Sequence, residues 1–308
     1  MLGYLTYHKP WPDGDDKEGC VELANYVEPL FIATHGPGTR LGIPIRRNPE
    51  KDSNPFAIDL SHSVAGPSDL KFRRDPFYFG ERRYSVHPQY LMTFNSEDSQ
   101  WYAMDHGDPG IYFWTQWEPS DSDDAGLFHG RRQLVRGMVS VHEARLAEVV
   151  AEGSRRERHW YRNKTRVFGD GGNKKSSLVI DLRRLPCIDM ELDPECWPDT
   201  PEDFTGMLRD EIAYGRFSDG DALPFASNEP MASVAESAAL ILESEGLARR
   251  SEVRLLDGRV VGRWTTTVSP YERLMLTSRL AQEGFNERQE GIRMMSCRNP
   301  WARRRGIG

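Results

Sequence analysis

The chain has 308 residues, enough for one large domain or two ordinary ones, each with its own core. Its 38% apolar and 28% charged residues place it in the globular range, and a net charge of −7 excludes coating of nucleic acid or an anionic membrane through bulk charge. No apolar run approaches the roughly 18–20 residues that cross a bilayer, and residues 1–11 carry no secretory signal pattern, so a cytoplasmic protein without a membrane contact is expected. Cys20, Cys187, Cys196 and Cys297 follow no CxxC spacing, which reads as reduced thiols, with no zinc and no other cofactor expected.

Residues 1–60 are loop-rich, with a helix or strand over Val21–Ala33 that Gly36-Pro37-Gly38 ends. From Phe72 to Trp117 short aromatic runs alternate with turns: Phe77–Phe79, Tyr90–Phe94, Gln100–Met104 and Ile111–Trp114, with turns at Asn95–Asp98 and Gly107–Gly110. These runs read as strands of an antiparallel sheet. Ser140 with Glu143 has the spacing of a capping box, which predicts a helix over Val141–Glu152 ending at Gly153. Val167-Phe168 and Leu178–Ile180 read as two strands joined by a glycine-rich turn. The expected class is α+β: a β-rich domain over 1–185, an acidic, proline-rich linker over 186–199, a small domain over 200–267, and a helix with a basic tail over 268–308.

No catalytic motif stands out. Gly169–Ser176 approaches the spacing of a phosphate loop, but Lys174 replaces the glycine that lets backbone approach phosphate, and a β-branched run follows where a helix is required. A solvated hairpin turn accounts for it better. His106 between Asp105 and Asp108, His62 near Asp59, and His129 before Arg131 have no zincin spacing; the lone histidine beside a turn aspartate is an ordinary turn feature. Trp101, Tyr102, Tyr112, Phe113, Trp114 and Trp117 offer a stacking platform, although period-2 aromatics of this kind usually pack a core. The run Arg155, Arg156, Arg158, Lys174 and Lys175, with Trp160 and Tyr161, is the stronger polyanion candidate, weighed against a solvated helix end and hairpin.

Residues 200–264 carry the clearest local grammar. Thr200 caps, Pro201 suits the first helical turn, Gly215 ends the helix, and Gly220-Asp221 turns the chain. Val234, Ala238, Ile241 and Leu242 form the stripe of a second helix, and Asp257-Gly258 reads as a two-residue type I′ hairpin. The order Leu208-Arg209, Ile212, Gly215-Arg216, Gly220-Asp221, Leu223-Pro224 and Glu245-Gly246-Leu247 resembles the winged helix of GntR-type transcriptional regulators. The resemblance covers about a fifth of the chain and implies duplex-DNA binding, with Ser233–Ser244 as the recognition helix. Two departures stand against it: the span Pro224–Gly246 is short, and the helix holds Glu236 and Glu243 with no Lys or Arg, so this face should repel phosphate. Arg249, Arg250, Arg254, Arg259 and Arg263 in and before the wing are basic enough to meet a backbone.

Three functions follow as expectations. The first is a DNA-associated regulator that binds nucleic acid through the wing arginines and Arg155–Lys175. The second is a non-catalytic subunit whose acidic face meets a protein partner. The third is an enzyme whose site draws on several of His87, Asp105, His106 and His129.

Overall fold

The computed structural model describes residues 17–54, 57–74, 76–77, 80–121, 127–128, 131–132, 134–160 and 176–282. Helix α1 (Lys17–His35) precedes strands β1 (Ile45–Arg47), β2 (Leu60–His62) and β3 (Gly66–Arg73), helix α2 (Gly80–Tyr84), strand β4 (Leu91–Asn95), helix α3 (Ser96–His106) and strand β5 (Gly110–Trp117). Four two-residue strands, β6 (Ser120–Asp121), β7 (Leu127–Phe128), β8 (Arg131–Arg132) and β9 (Leu134–Val135), lead to β10 (Met138–Arg145) and helix α4 (Leu146–Gly153). Strands β11 (His159–Trp160), β12 (Ser176–Asp181) and β13 (Cys187–Leu192) follow. The C-terminal part holds helices α5 (Pro201–Ala213) and α6 (Met231–Ser244), the hairpin β14 (Ala248–Arg254) and β15 (Val260–Thr266), and helix α7 (Pro270–Gln282).

The fold is α+β, β-rich in its N-terminal part and helical toward the C-terminus. A six-stranded sheet runs β1-β2-β3-β5-β10-β13. All its pairs are antiparallel except β3 with β5, which run parallel. A parallel neighbour requires a crossover, and α2, β4 and α3 supply it. Strand alternation divides the aromatic run of β5 between two cores. Tyr112 and Trp114 join Phe31 of α1 on one face, while Ile111, Phe113 and Trp117 join β4, β12 and α4 on the other. The aromatics of β5 are therefore core. Trp101 is 42% exposed. The larger cluster of buried side chains continues without a break through Trp197 into Phe204, Ile212, Met231, Leu242 and Trp264.

Three local expectations fail for identifiable reasons. Gln100–Met104 lies inside α3, because Asn95 opens a helix there: its side chain accepts the Glu97 N–H at 3.1 Å, and Glu97 and Asp98 sit in the first turn, where the helix dipole favours acids. The helix expected from Val141 starts only at Leu146, since β10 is held on both sides by β5 and β13 and the Ser140 hydroxyl meets Thr115 at 2.7 Å. The Asp257-Gly258 turn is longer than a two-residue type I′ loop. Gly258 donates to the Leu255 carbonyl at 2.9 Å and Leu255 to the Arg259 carbonyl at 2.8 Å. Gly258 has φ +89° but Asp257 keeps a negative φ, whereas type I′ needs both positive. The cap at Thr200 forms as expected, with Thr200 Oγ1 accepting from Asp203 N at 3.2 Å, and Ser269 caps α7, its Oγ accepting from Glu272 N at 3.2 Å.

The tip of the β14–β15 hairpin is docked on the large sheet. The Leu256 amide donates to Glu143 Oε1 at 2.7 Å, and the Leu256 side chain joins the α1-side core. Gly110 permits this approach, since a Cβ there would stand 2.8 Å from Leu256 Cδ1 and 2.8 Å from Ser68 Oγ. Burial pushes the Glu143 carboxyl up to about 7, against the pull of the Leu256 N–H. Because the folded pKa is raised, the wild type loses stability relative to Glu143→Gln as pH rises from 4.5 through 7, by roughly 3 kcal/mol at 1.36 kcal/mol per unit. Denaturant unfolding of both proteins at the two ends of that window should show this change; a pH-independent difference would contradict it.

Candidate functional site

The most concentrated ionic chemistry lies on the β1–β2–β3 meander. Leu60 of β2 pairs with Ser68 of β3, so one step along the same register Asp59 falls opposite Asp69. Alternation then sends Leu70 and Phe72 toward α1, where Phe72 meets the Trp114 ring at 5.0 Å, and sends Asp69 and Lys71 to the opposite face. Two carboxylates in facing positions repel each other. Asp59 meets this with Oδ2 accepting the Leu70 amide at 3.1 Å and Oδ1 against the Lys51 ammonium.

The charges around this pair form a chain. Lys51 Nζ also reaches Glu28 Oε1 of α1 at 2.5 Å. Lys71 Nζ lies 2.8 Å from Asp69 Oδ2 and 3.4 Å from Asp98 Oδ2 of α3. The same ammonium stands 5.4 Å from the Phe94 ring centroid and 5.6 Å from that of Tyr102. Burial first, and then Asp59, lift the Asp69 carboxyl to about 6, with Lys71 pulling the other way. Burial works against the Lys71 ammonium, but Asp69 and its acidic neighbours hold it well above its ordinary value. Lys71 is thus a fixed cation. Glu28, Asp59, Asp69 and Asp98 set four carboxyl groups against two ammonium groups, while Arg47 and Asp52 alongside cancel each other at 2.5 Å.

The group is reachable from solvent on one side. The Asp69 side chain is 2% exposed, but Lys71 and Asp98 are 26% and 35% exposed. Among the described residues no three His, Cys, Asp or Glu side chains form a ready cation cage.

A second polar cluster lies beneath α5 and is closed. Burial opposes ionisation of Glu211, but Arg216 and Arg136 overcome it and hold the carboxyl down to about 2. Arg216 Nη1 meets Glu211 Oε1 at 2.9 Å. Burial and the arginines keep His87 well below its ordinary value, hence neutral. The space among these residues is about 10 Å³, room for about one water. His87, Tyr90 and Glu211 of the cluster are buried among core side chains.

The residues singled out by sequence are dispersed. His87 sits in that cluster, Asp105 is exposed on α3 and His106 packs beside Trp101 and Tyr102, so among the described residues no cleft gathers these three; His129 lies outside the described residues. Arg249 is exposed on β14. Arg250 pairs with Glu236 and lies 4.8 Å over Trp264, Arg254 donates to the Gly258 carbonyl at 3.4 Å, and Arg259 pairs with Asp257 at 2.5 Å. Arg263 is half-buried, where burial and then Arg184 pull its guanidinium pKa down. Arg155 and Arg156 pair with Glu152, Arg156 also with Asp181, and Arg158 meets Ser176 Oγ at 3.3 Å. Lys174, Lys175 and most of the glycine-rich turn lie outside the described residues. Glu236 of the expected acidic face also accepts the Trp264 indole N–H at 2.8 Å. Sequence reasoning passed over Glu28, Lys51, Asp59 as a site residue, Asp69, Lys71 and Asp98. The available signal was Asp-x-Lys in a strand, preceded by another aspartate one hairpin earlier.

No family model, curated protein or solved structure matches this chain. No helix among the described residues is long and apolar enough to cross a membrane.

At pH 8 Asp69 must be ionised against a folded pKa of about 6, so Asp69→Asn should stabilise the fold by up to about 3 kcal/mol relative to wild type. A gain in stability on removing a charge marks a residue kept for something other than folding. Chemical denaturation at pH 8 measures the difference; a less stable variant would show that Asp69 serves the fold.

Proposed function

We propose that the chain is a divalent-cation-dependent hydrolase of phosphodiesters in nucleic acid, with its site at Asp59, Asp69 and Lys71. The observation that carries this reading is the facing pair of carboxylates, Asp59 just before β2 and Asp69 on β3, with the Lys71 ammonium two residues along the same face, 2.8 Å from Asp69. Four carboxyl groups against two ammonium groups leave an excess of negative charge that a divalent cation would neutralise. The partly exposed Lys71 then offers a positive group to an incoming anion.

The residue roles follow from their protonation. Asp59 and Asp69 present oxygens to a cation, which when bound polarises a phosphoryl oxygen and makes a coordinated water more acidic. Lys71 keeps its proton, so it serves as an electrostatic clamp on charge that builds at phosphorus and not as a general base. Asp98 and the rings of Phe94 and Tyr102 hold the lysine ammonium. In the reaction a water oxygen bonds to phosphorus, the ester P–O bond breaks, and the water proton leaves to solvent as the leaving oxygen gains one. Nucleic acid is the phosphodiester we propose as substrate, and Arg249, Arg254, Arg155 and Arg158 are exposed cations elsewhere on the chain.

The test is cleavage of labelled single- and double-stranded DNA and RNA in Mg²⁺ or Mn²⁺, with a chelator control. Cation-dependent cleavage is expected, with Asp69→Asn and Lys71→Ala each lowering the rate by about 10²–10³-fold while the proteins remain folded. Binding without cleavage under every cation would contradict the proposal and favour a DNA-associated regulator instead.

A further inference from the structure

We infer that Lys51 is a built-in counter-ion filling what is otherwise a second cation position, between Glu28 and Asp59, and that it thereby restricts the Asp59–Asp69 site to one divalent ion. The inference rests on the hydrolase reading for the first ion and on independent geometry for the second. Lys51 is buried, with its Nζ between Glu28 Oε1 at 2.5 Å and Asp59 Oδ1. Glu28 is buried too, and its Oε2 has no hydrogen-bond partner; Arg47 Nε stands 3.7 Å away. Glu28 thus has one oxygen on an ammonium and the other held only by the longer ion pair to Arg47, with no hydrogen bond of its own.

The lysine is held in place by its backbone. It lies on a short 3-10 turn whose cap, Asn48, accepts the Glu50 N–H at 3.1 Å and donates its side-chain amide to the Ile58 carbonyl at 2.9 Å. The Asn48 backbone N–H donates to the Asp59 carbonyl at 3.0 Å, so the turn is tied to the residue that its lysine neutralises. Asp59 stands between two charge sets, with Oδ1 toward Lys51 and Oδ2 on the sheet side at Leu70 N. A carboxylate in that position suits a bridge between two cations. Here one of the two is an ammonium that belongs to the chain, and it neither exchanges with solvent nor accepts a phosphate oxygen as a ligand.

Replacing Lys51 by methionine keeps the stem and removes the charge, leaving Glu28 and Asp59 facing each other in a buried space. The variant should recruit a metal there. Titration with Mn²⁺ alone should give one ion per wild-type chain, two per Lys51→Met chain, and one again in Glu28→Gln/Lys51→Met. Millimolar Mn²⁺ should raise the melting temperature of Lys51→Met more than that of wild type, and the double variant should lose this extra rise. A wild type that binds no ion, with a Lys51→Met chain that binds one through Glu28, would remove the hydrolase reading and the one-ion restriction with it, and leave standing that Lys51 fills a cation position between Glu28 and Asp59. Lys51→Met with the ion count and Mn²⁺ response of wild type overturns the inference, as does a variant that stays unfolded both with the metal and without it.

Discussion

The pairing of β2 with β3 places two aspartates opposite each other, and much of the N-terminal part can be understood as an accommodation of that contact. Facing carboxylates on neighbouring strands are destabilising unless cations or protons intervene. Lys51 and Lys71 supply cations from two directions, one from the turn after β1 and one from β3 itself. Even so, Asp69 keeps a raised pKa, because burial, joined by Asp59, outweighs the pull of Lys71. Arg183, by contrast, meets Asp181 through two nitrogens, at 2.7 and 2.8 Å, and there the arginines outweigh burial and hold the carboxyl down. Where arginines meet a buried carboxylate in this way it is held charged; at Asp69, as at Glu143, burial prevails.

The mixed sheet positions this chemistry. The parallel step from β3 to β5 needs a crossover, and the crossover brings α3 over the face on which Asp69 and Lys71 stand. Helix α1 covers the opposite face and contributes Glu28 from its buried side. The C-terminal hairpin braces the same sheet by setting Leu256 against Glu143 and Gly110. Its tip is engaged within the chain, and Arg250 and Arg259 are paired with neighbouring acids.

The sequence makes the local structure of the C-terminal half plain, because caps and turns there are strong: Thr200, Pro201, Gly215, Ser269 and Glu272 all occupy the positions their chemistry favours. Between Asn95 and Met104 an aromatic run conceals a capped helix, and between Ser140 and Arg145 a capping-box spacing conceals a central strand. In both places tertiary pairing or a side-chain cap outweighs the local pattern. The candidate site is the least legible part. Asp59 and Asp69 are ten positions apart, and only the strand register, which depends on how Leu60 and Ser68 meet, makes them neighbours. Glu28 and Lys51 join them through a helix and a turn that carry no motif of their own.

The central claim is that Asp59 and Asp69 together hold a divalent cation. Crystals grown with Mn²⁺ and measured at the manganese edge test it directly. The account predicts an anomalous peak about 2.0–2.3 Å from an oxygen of each aspartate, beside Lys71 and not in place of Lys51. A map with no manganese at this pair, with Asp59 and Asp69 still bonded only to their lysines and backbone, would contradict it.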